Sequence, residues 1–290
     1  YMNKSKITAY TALATIMSAS AAHADLSLAG LYQGNVGSGD GSSGISHAMS
    51  TSSVYVTYSD SLDNGMGLSA GFSITEASMG FSTAIDTGMG TVGFGQIHNS
   101  AVDGFDSMPA GAKSVYSNES LSATYDDGDA DEGMGIKYTS PSINGFTAAI
   151  SMGENSANGI YTTGDRNTAV AVKGSIMGIS LAAGAVDDND GSDDNFFTAG
   201  YSVAGISLGY GVYDDDAGTE STVLGANASV AGLSLGYTFE DLDAATDQDS
   251  SRYSVGKNLG GLSVTVEFTD TDDGTGVDKQ DWAIVYSVGF

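Results

Sequence analysis

Thirty-six Asp and Glu against nine Lys and Arg make carboxylates the side chains best able to do chemistry in this 290-residue chain, and they fall in runs. The densest is Asp187-Asp188-Asn189-Asp190-Gly191-Ser192-Asp193-Asp194. It faintly resembles a calcium loop, yet the later bidentate Glu that closes such a loop is missing. A solvated run that gathers cations is the favoured reading. Asp187, Asp188, Asp190, Asp193 and Asp194 remain positions at which a divalent ion such as Ca2+ could bridge neighbouring segments.

Other chemistries find little support. Only His23, His47 and His98 are present, and no Gly-x-Ser-x-Gly, His-Glu-x-x-His or phosphate loop accompanies them. The acid runs have no apolar wall to raise a carboxyl pKa, so none stands out as an acid–base pair. With no cysteine there is no disulfide framework, zinc thiolate or thiol nucleophile. The expectation is a protein that is not an enzyme and holds no cofactor beyond that Ca2+. A net charge of −27 disfavours nucleic acid and anionic surfaces and favours cations.

The elements that position these acids are written in alternation. Ser202–Asp216 reads SVAGISLGYGVYDDD and Ser229–Asp243 reads SVAGLSLGYTFEDLD, the same phrase twice. Ile206, Leu208, Tyr210 and Val212 share one face while Ser207, Gly209 and Gly211 share the other, a period of two that specifies a β-hairpin. Sixteen such segments can be laid out: 25–35, 49–59, 66–76, 78–86, 90–98, 133–140, 145–154, 166–175, 178–187, 194–203, 205–214, 221–230, 232–240, 250–258, 261–269 and 279–290. Arg166 is read as a loop residue.

Connections also alternate. One set is tight, as at Val203-Ala204-Gly205 and Val230-Ala231-Gly232; the other is long and acidic, as at Asp214 to Glu220 and Glu240 to Asp249. Short turns at one rim and long polar loops at the other describe an up-and-down barrel standing in an outer membrane. Alternation alone also suits a soluble sandwich, with the apolar face turned inward. Two features favour the membrane. Residues 1–24 carry Lys4 and Lys6, an apolar stretch and Ala22-His23-Ala24, a signal peptide expected to be cut after Ala24, which leaves 25–290 as the barrel. The chain also ends Trp282-Ala-Ile284-Val-Tyr286-Ser-Val288-Gly-Phe290, similar to the outer-membrane assembly signal, with Tyr286, Val288 and Phe290 as its key residues.

One connection breaks the rhythm. After Gly90-Thr91-Val92-Gly93-Phe94-Gly95-Gln96 the pattern stops near His98 and resumes near Gly133 with GIKYTSPSINGFTAAIS, Gly135 to Ser151. A stretch this long is usually functional or disordered. In these motifs the chain resembles the general porins of Gram-negative bacteria. Their "G-T-(V/L)-x-(F/V)-G" strand precedes a third loop folded into the pore, and a "Y-x-S-P-x-(I/F)-x-G-F" hairpin follows it.

The resemblance implies an all-β fold, a 16-stranded antiparallel up-and-down transmembrane β-barrel with an inward-folded third loop. It also implies a homotrimer in outer-membrane lipid that passes small hydrophilic solutes and ions by diffusion. On that reading Asp103, Asp106 and Glu119 form the acidic side of a constriction, with Lys113 among them. Parity turns Lys137 and Arg252 into the lumen as its basic side, and Lys279 and Asp281 with them. Lys257 falls on the lipid parity near a turn, where a long side chain can snorkel. Tyr58, Tyr138, Tyr201, Tyr237, Tyr286 and Phe290 suit an aromatic girdle. The family usually sets a basic wall against acids on the loop, but no Lys or Arg occurs between Asp25 and Ala112. A cation preference follows. The alternatives are a solute-specific channel of the same build, or a secreted or surface-layer β-protein bridged by calcium.

Overall fold

The computed structural model describes residues 25–38, 45–75, 79–95, 100–102, 104–105, 110–111, 135–154, 166–187, 193–215, 219–243, 247–272, 274–275 and 278–289. They form sixteen strands: β1 (Asp25–Ser38), β2 (Ser46–Ser61), β3 (Gly67–Thr75), β4 (Met79–Asp86), β5 (Thr91–Gly95), β6 (Gly135–Thr139), β7 (Phe146–Glu154), β8 (Arg166–Ile176), β9 (Ile179–Asp187), β10 (Asp193–Val203), β11 (Ile206–Asp215), β12 (Thr219–Val230), β13 (Leu233–Asp243), β14 (Gln248–Asn258), β15 (Leu262–Asp272) and β16 (Asp278–Gly289). Each pairs antiparallel with its chain neighbours, and β1 pairs with β16 to close the barrel. All sixteen alternating segments are present as strands. Arg166 is a correction: it opens β8 opposite Glu154, because the alternation of Val170 and Val172 continues back into a register with β7.

The tight connections share one geometry. Met177-Gly178, Ala204-Gly205 and Ala231-Gly232 each place two successive residues at positive φ, 53° and 81°, 53° and 80°, and 52° and 76°. These are two-residue turns whose twist matches that of the strands. Glycine at the second position was expected. Met or Ala at the first carries strain that Asn144, at φ 54° in the equivalent place before Gly145, largely avoids.

The two faces differ as alternation requires. Ile136, Ile150, Met152, Val170, Leu208, Leu224, Val255 and Val266 are exposed on the outer surface, while Ser151, Thr198, Ser221, Ser254 and Thr265 on the opposite parity are buried inside. A charge on the outer face at mid-membrane would cost about 2–4 kcal/mol. Lys257 has the outer parity but stands in β14 next to the tight turn, where its ammonium can reach water.

Toward the loop rim the outer face is layered. Tyr237, Tyr253, Phe268 and Trp282 pair in one continuous row across β13 to β16, with Tyr237 and Tyr253 ring centroids 5.1 Å apart. Farther up, Asp241, Asp249, Asp272 and Asp278 pair directly in a second row. Aromatic rings suit the membrane interface and carboxylates the water beyond it. The acid row is held together by the barrel against its own repulsion, since like charges directly opposite destabilise a sheet. Replacing Asp249 by Asn should therefore stabilise the barrel by about 0.5–1 kcal/mol at low ionic strength, read as a higher unfolding midpoint in detergent; a lower midpoint would contradict the repulsive row.

Candidate functional site

The connection between β5 and β6 enters the barrel. Ala101, Val102 and Phe105 pack in one buried cluster with Ala149 of β7, Ala169 and Ala171 of β8, Ala182 and Val186 of β9, and Phe196 of β10. All the strand members of that cluster have the inward parity. Ala101 and Val102 are 0 % exposed, so this part of the loop is fully seated on the wall. Small wall side chains make the floor and larger loop side chains fill it, each buried Val or Phe contributing about 1.5–3 kcal/mol.

Polar contacts fix the same segment. The Ala101 N–H donates to Ser151 Oγ at 2.6 Å, and Lys137 Nζ donates to the Ser100 carbonyl at 2.7 Å. Residues 102–105 close a turn, with the Phe105 N–H donating to the Val102 carbonyl at 2.8 Å. Lys173 Nζ donates to the Gly104 carbonyl at 2.9 Å and stands 4.4 Å from the centre of the Phe105 ring. Farther on, Ala110 is buried over β12, where any side chain at Gly225 would overlap its carbonyl, and Gly111 approaches Thr238 of β13. The described residues of the loop thus meet the inner wall at β6 to β10 and again at β12 and β13.

The remaining arc carries charge. Arg252 of β14 stands opposite Lys137 of β6 in the strand order, and its Nε lies 3.2 Å from Glu267 Oε1 of β15. Both side chains are well buried, at 12 % and 1 % exposure. On β13, Glu240 accepts a hydrogen bond from Ser221 Oγ at 3.1 Å and feels the charge of Arg252. Lys279 and the buried Asp281 of β16 complete the arc on the inward parity.

Of the residues singled out in the sequence, Lys137 and Arg252 are on the inner wall as parity required. Lys137 grips the loop, and Arg252 is paired with Glu267. Asp103, Asp106, Lys113, Glu119, Asp188, Asp190 and Phe290 lie outside the described residues. Asp187 ends β9, exposed on the outer face opposite Asp193, whereas Asp194 is buried on the inner face. The pleat therefore parts the described members of that run, and no group of three or more potential ligands for a metal forms among the described residues. Tyr286 and Val288 are on the outer face of β16; the Tyr286 hydroxyl is 2.8 Å from His47 Nε2, and its ring lies over Gly34.

Sequence reasoning missed Lys173, Phe196 and the alanine floor. A signal was available. Phe196 and Tyr213, stacked at 6.5 Å, are large aromatics on a face otherwise made of Thr198, Gly200 and Gly211, and a large apolar group turned toward water implies something docked on it. The Arg252–Glu267 pair was hidden because a charge partner set diagonally on the neighbouring strand follows from register, which the alternation leaves open.

The pair gives a stability test. Arg252→Leu leaves Glu267 buried without its guanidinium and should cost about 3–5 kcal/mol, whereas Arg252→Leu/Glu267→Leu should recover most of that loss. Unfolding midpoints of the two variants check it; equal losses would show that the pair adds nothing.

Comparison with known proteins bears on what such a barrel is. Engineered variants of the porin of Rhodopseudomonas blastica share the fold, one with a TM-score of 0.72 at 17% identity over 92% of this chain and 100% of theirs. A triple mutant of the same porin gives 0.70 at 16% identity over the same shares. Among curated proteins there is no significant sequence match. The family model of Gram-negative porins matches residues 9–289, and with that span, a closed barrel of sixteen strands and a loop seated on its inner wall, the chain belongs to the Gram-negative porins.

Proposed function

We propose that this porin passes small hydrophilic solutes and ions by diffusion with a preference for cations. The observation that carries the preference is where the wall's cations go. Lys137 and Lys173 are held at the wall by loop carbonyls, Arg252 is neutralised by Glu267, and Lys279 is the fourth described cation on the inner face. Glu240, Glu267, Asp281 and Asp194 share the inner face with them. These four carboxylates offset the four wall cations, which leaves the sign of the lumen to the acids of the inward loop, and the field of an acidic ring in a narrow channel favours cations. Asp103, Asp106 and Glu119 of the inward loop supply that sign, with Lys113 the loop's counter-charge.

Several finer features belong to the same reading. Residues 1–24 serve as an export signal, and Tyr286, Val288 and Phe290 as the assembly signal. The working unit is a homotrimer. The His47 and Tyr286 polar groups on the outer face at the β16–β1–β2 seam support it, because they are better covered by a second copy than by lipid. Outside, the acid runs gather cations at the mouth, and Ca2+ bridges carboxylates such as Asp187, Asp188, Asp190, Asp193 and Asp194 between loops. Reversal potential in a planar bilayer under a KCl gradient tests the preference: a cation-selective sign is expected, and an anion-selective one would overturn it.

A further inference from the structure

We infer that Lys173, together with Lys137, is the positioning residue that fixes the size of the constriction, by clasping the main chain of the inward loop. The inference rests on the diffusion-channel reading and adds what holds its sieve in place. Neither sequence alternation nor membership of the family singles out Lys173. The geometry does. Its ammonium donates to the Gly104 carbonyl at 2.9 Å while standing 4.4 Å from the Phe105 ring, so one side chain closes over both the backbone and the side chain of the 102–105 turn. Gly104 has φ 73°, the left-handed conformation that lets this tight turn form.

Three things make the clasp specific. First, it presses Phe105 onto an apolar floor that no other described part of the lumen offers: Ala149, Ala169, Ala171 and Ala182 with Phe196. Second, it works with Lys137, which holds the Ser100 carbonyl at 2.7 Å, so a cation grips the described segment at each end of the 100–104 stretch. Third, the acceptors are carbonyls. Gripping the backbone anchors the loop without neutralising a carboxylate, so the clasp can fix pore size while leaving the lumen's negative sign intact. A charged hydrogen bond and a ring contact are each stronger than their neutral counterparts, and here they converge on one ammonium.

Lys173 therefore acts on size, and on selectivity only as a single lumen charge. The test separates the two. Wild type, Lys173→Met and Lys173→Arg are compared in planar bilayers for exclusion of neutral polyethylene glycols of graded size, for flicker of the open channel and for reversal potential. Met keeps the aliphatic stem and loses the ammonium; Arg keeps a donor and a cation over the ring. For Lys173→Met the polymer cut-off should rise, and the time the loop spends unseated should increase roughly ten- to a hundredfold, the equilibrium factor of one charge-assisted hydrogen bond. Lys173→Arg should stay near wild type.

A tether makes the result independent of folding losses. The chain has no cysteine, and the Ala101 N–H already meets Ser151 Oγ at 2.6 Å, so Ala101→Cys/Ser151→Cys can join loop to wall. Added to Lys173→Met, the oxidised pair should restore the wild-type cut-off and the reduced pair should release it. A wild-type cut-off in Lys173→Met with only the reversal potential changed would overturn the inference and make Lys173 an ordinary lumen charge. Failure of the oxidised tether to narrow the channel would overturn it too. A wild-type protein that carries no current would overturn the channel reading and this inference with it.

Discussion

Hydrocarbon offers no hydrogen bonds, so a chain that crosses a membrane in extended form must pair every strand edge with another. Everything else in this molecule follows from that constraint. Sixteen strands meet it only by closing β1 on β16, and the eight pairs that register Leu31 to Ser38 against Gly289 to Trp282 are the seam. Closure forces each strand to present one face to lipid and one to the lumen, which is why leucines, valines and tyrosines alternate with serines, threonines and glycines around the whole circle. At the seam Tyr286 lies over Gly34, where a side chain would meet its hydroxyl at 2.5 Å, so the last strand is locked to the first by shape as well as by hydrogen bonds.

A barrel of this size leaves more interior than small side chains fill. The inward loop occupies part of it and needs a berth that the polar lumen does not otherwise provide. That berth is local and unusual: alanines from three adjacent strands, one valine, one phenylalanine, and two lysines reaching to carbonyls. Over β12 the loop passes so close that Gly225 has no room for a Cβ, which shows how tightly wall and loop sequences are matched. On the far arc Arg252 and Glu267 neutralise one another in the wall.

The fold was legible because membrane crossing writes itself into every second residue. All sixteen segments could be placed, and the two-residue turns could be read from glycines at fixed offsets. Parity alone turned Lys137 and Arg252 inward. What parity cannot give is contact between wall and loop, or the diagonal partner of a side chain on the next strand. Lys137 was read as a pore-wall charge, yet its ammonium meets Ser100, which is distant in sequence and brought near only by the loop's return. Lys173 was overlooked for the same reason. The acid run at Asp187 to Asp194 looked like one ligand cluster, but a strand pair divides it, with Asp187 outside and Asp194 inside. Phe196 was the one residue whose size contradicted its face, and such a contradiction is where a docked segment should be sought.

The measurement that bears most directly on this arrangement is thiol accessibility of two neighbouring hydroxyl residues in β4. Ser82 has the inner parity and Thr83, paired with Phe94 and Ala70, the outer one. In Ser82→Cys a membrane-impermeant, charged thiol reagent should react and reduce the single-channel current; in Thr83→Cys it should do neither. Reaction at Thr83→Cys with Ser82→Cys protected would mean that the apolar face encloses the interior and the polar face meets the surroundings, and the water-filled barrel would be wrong.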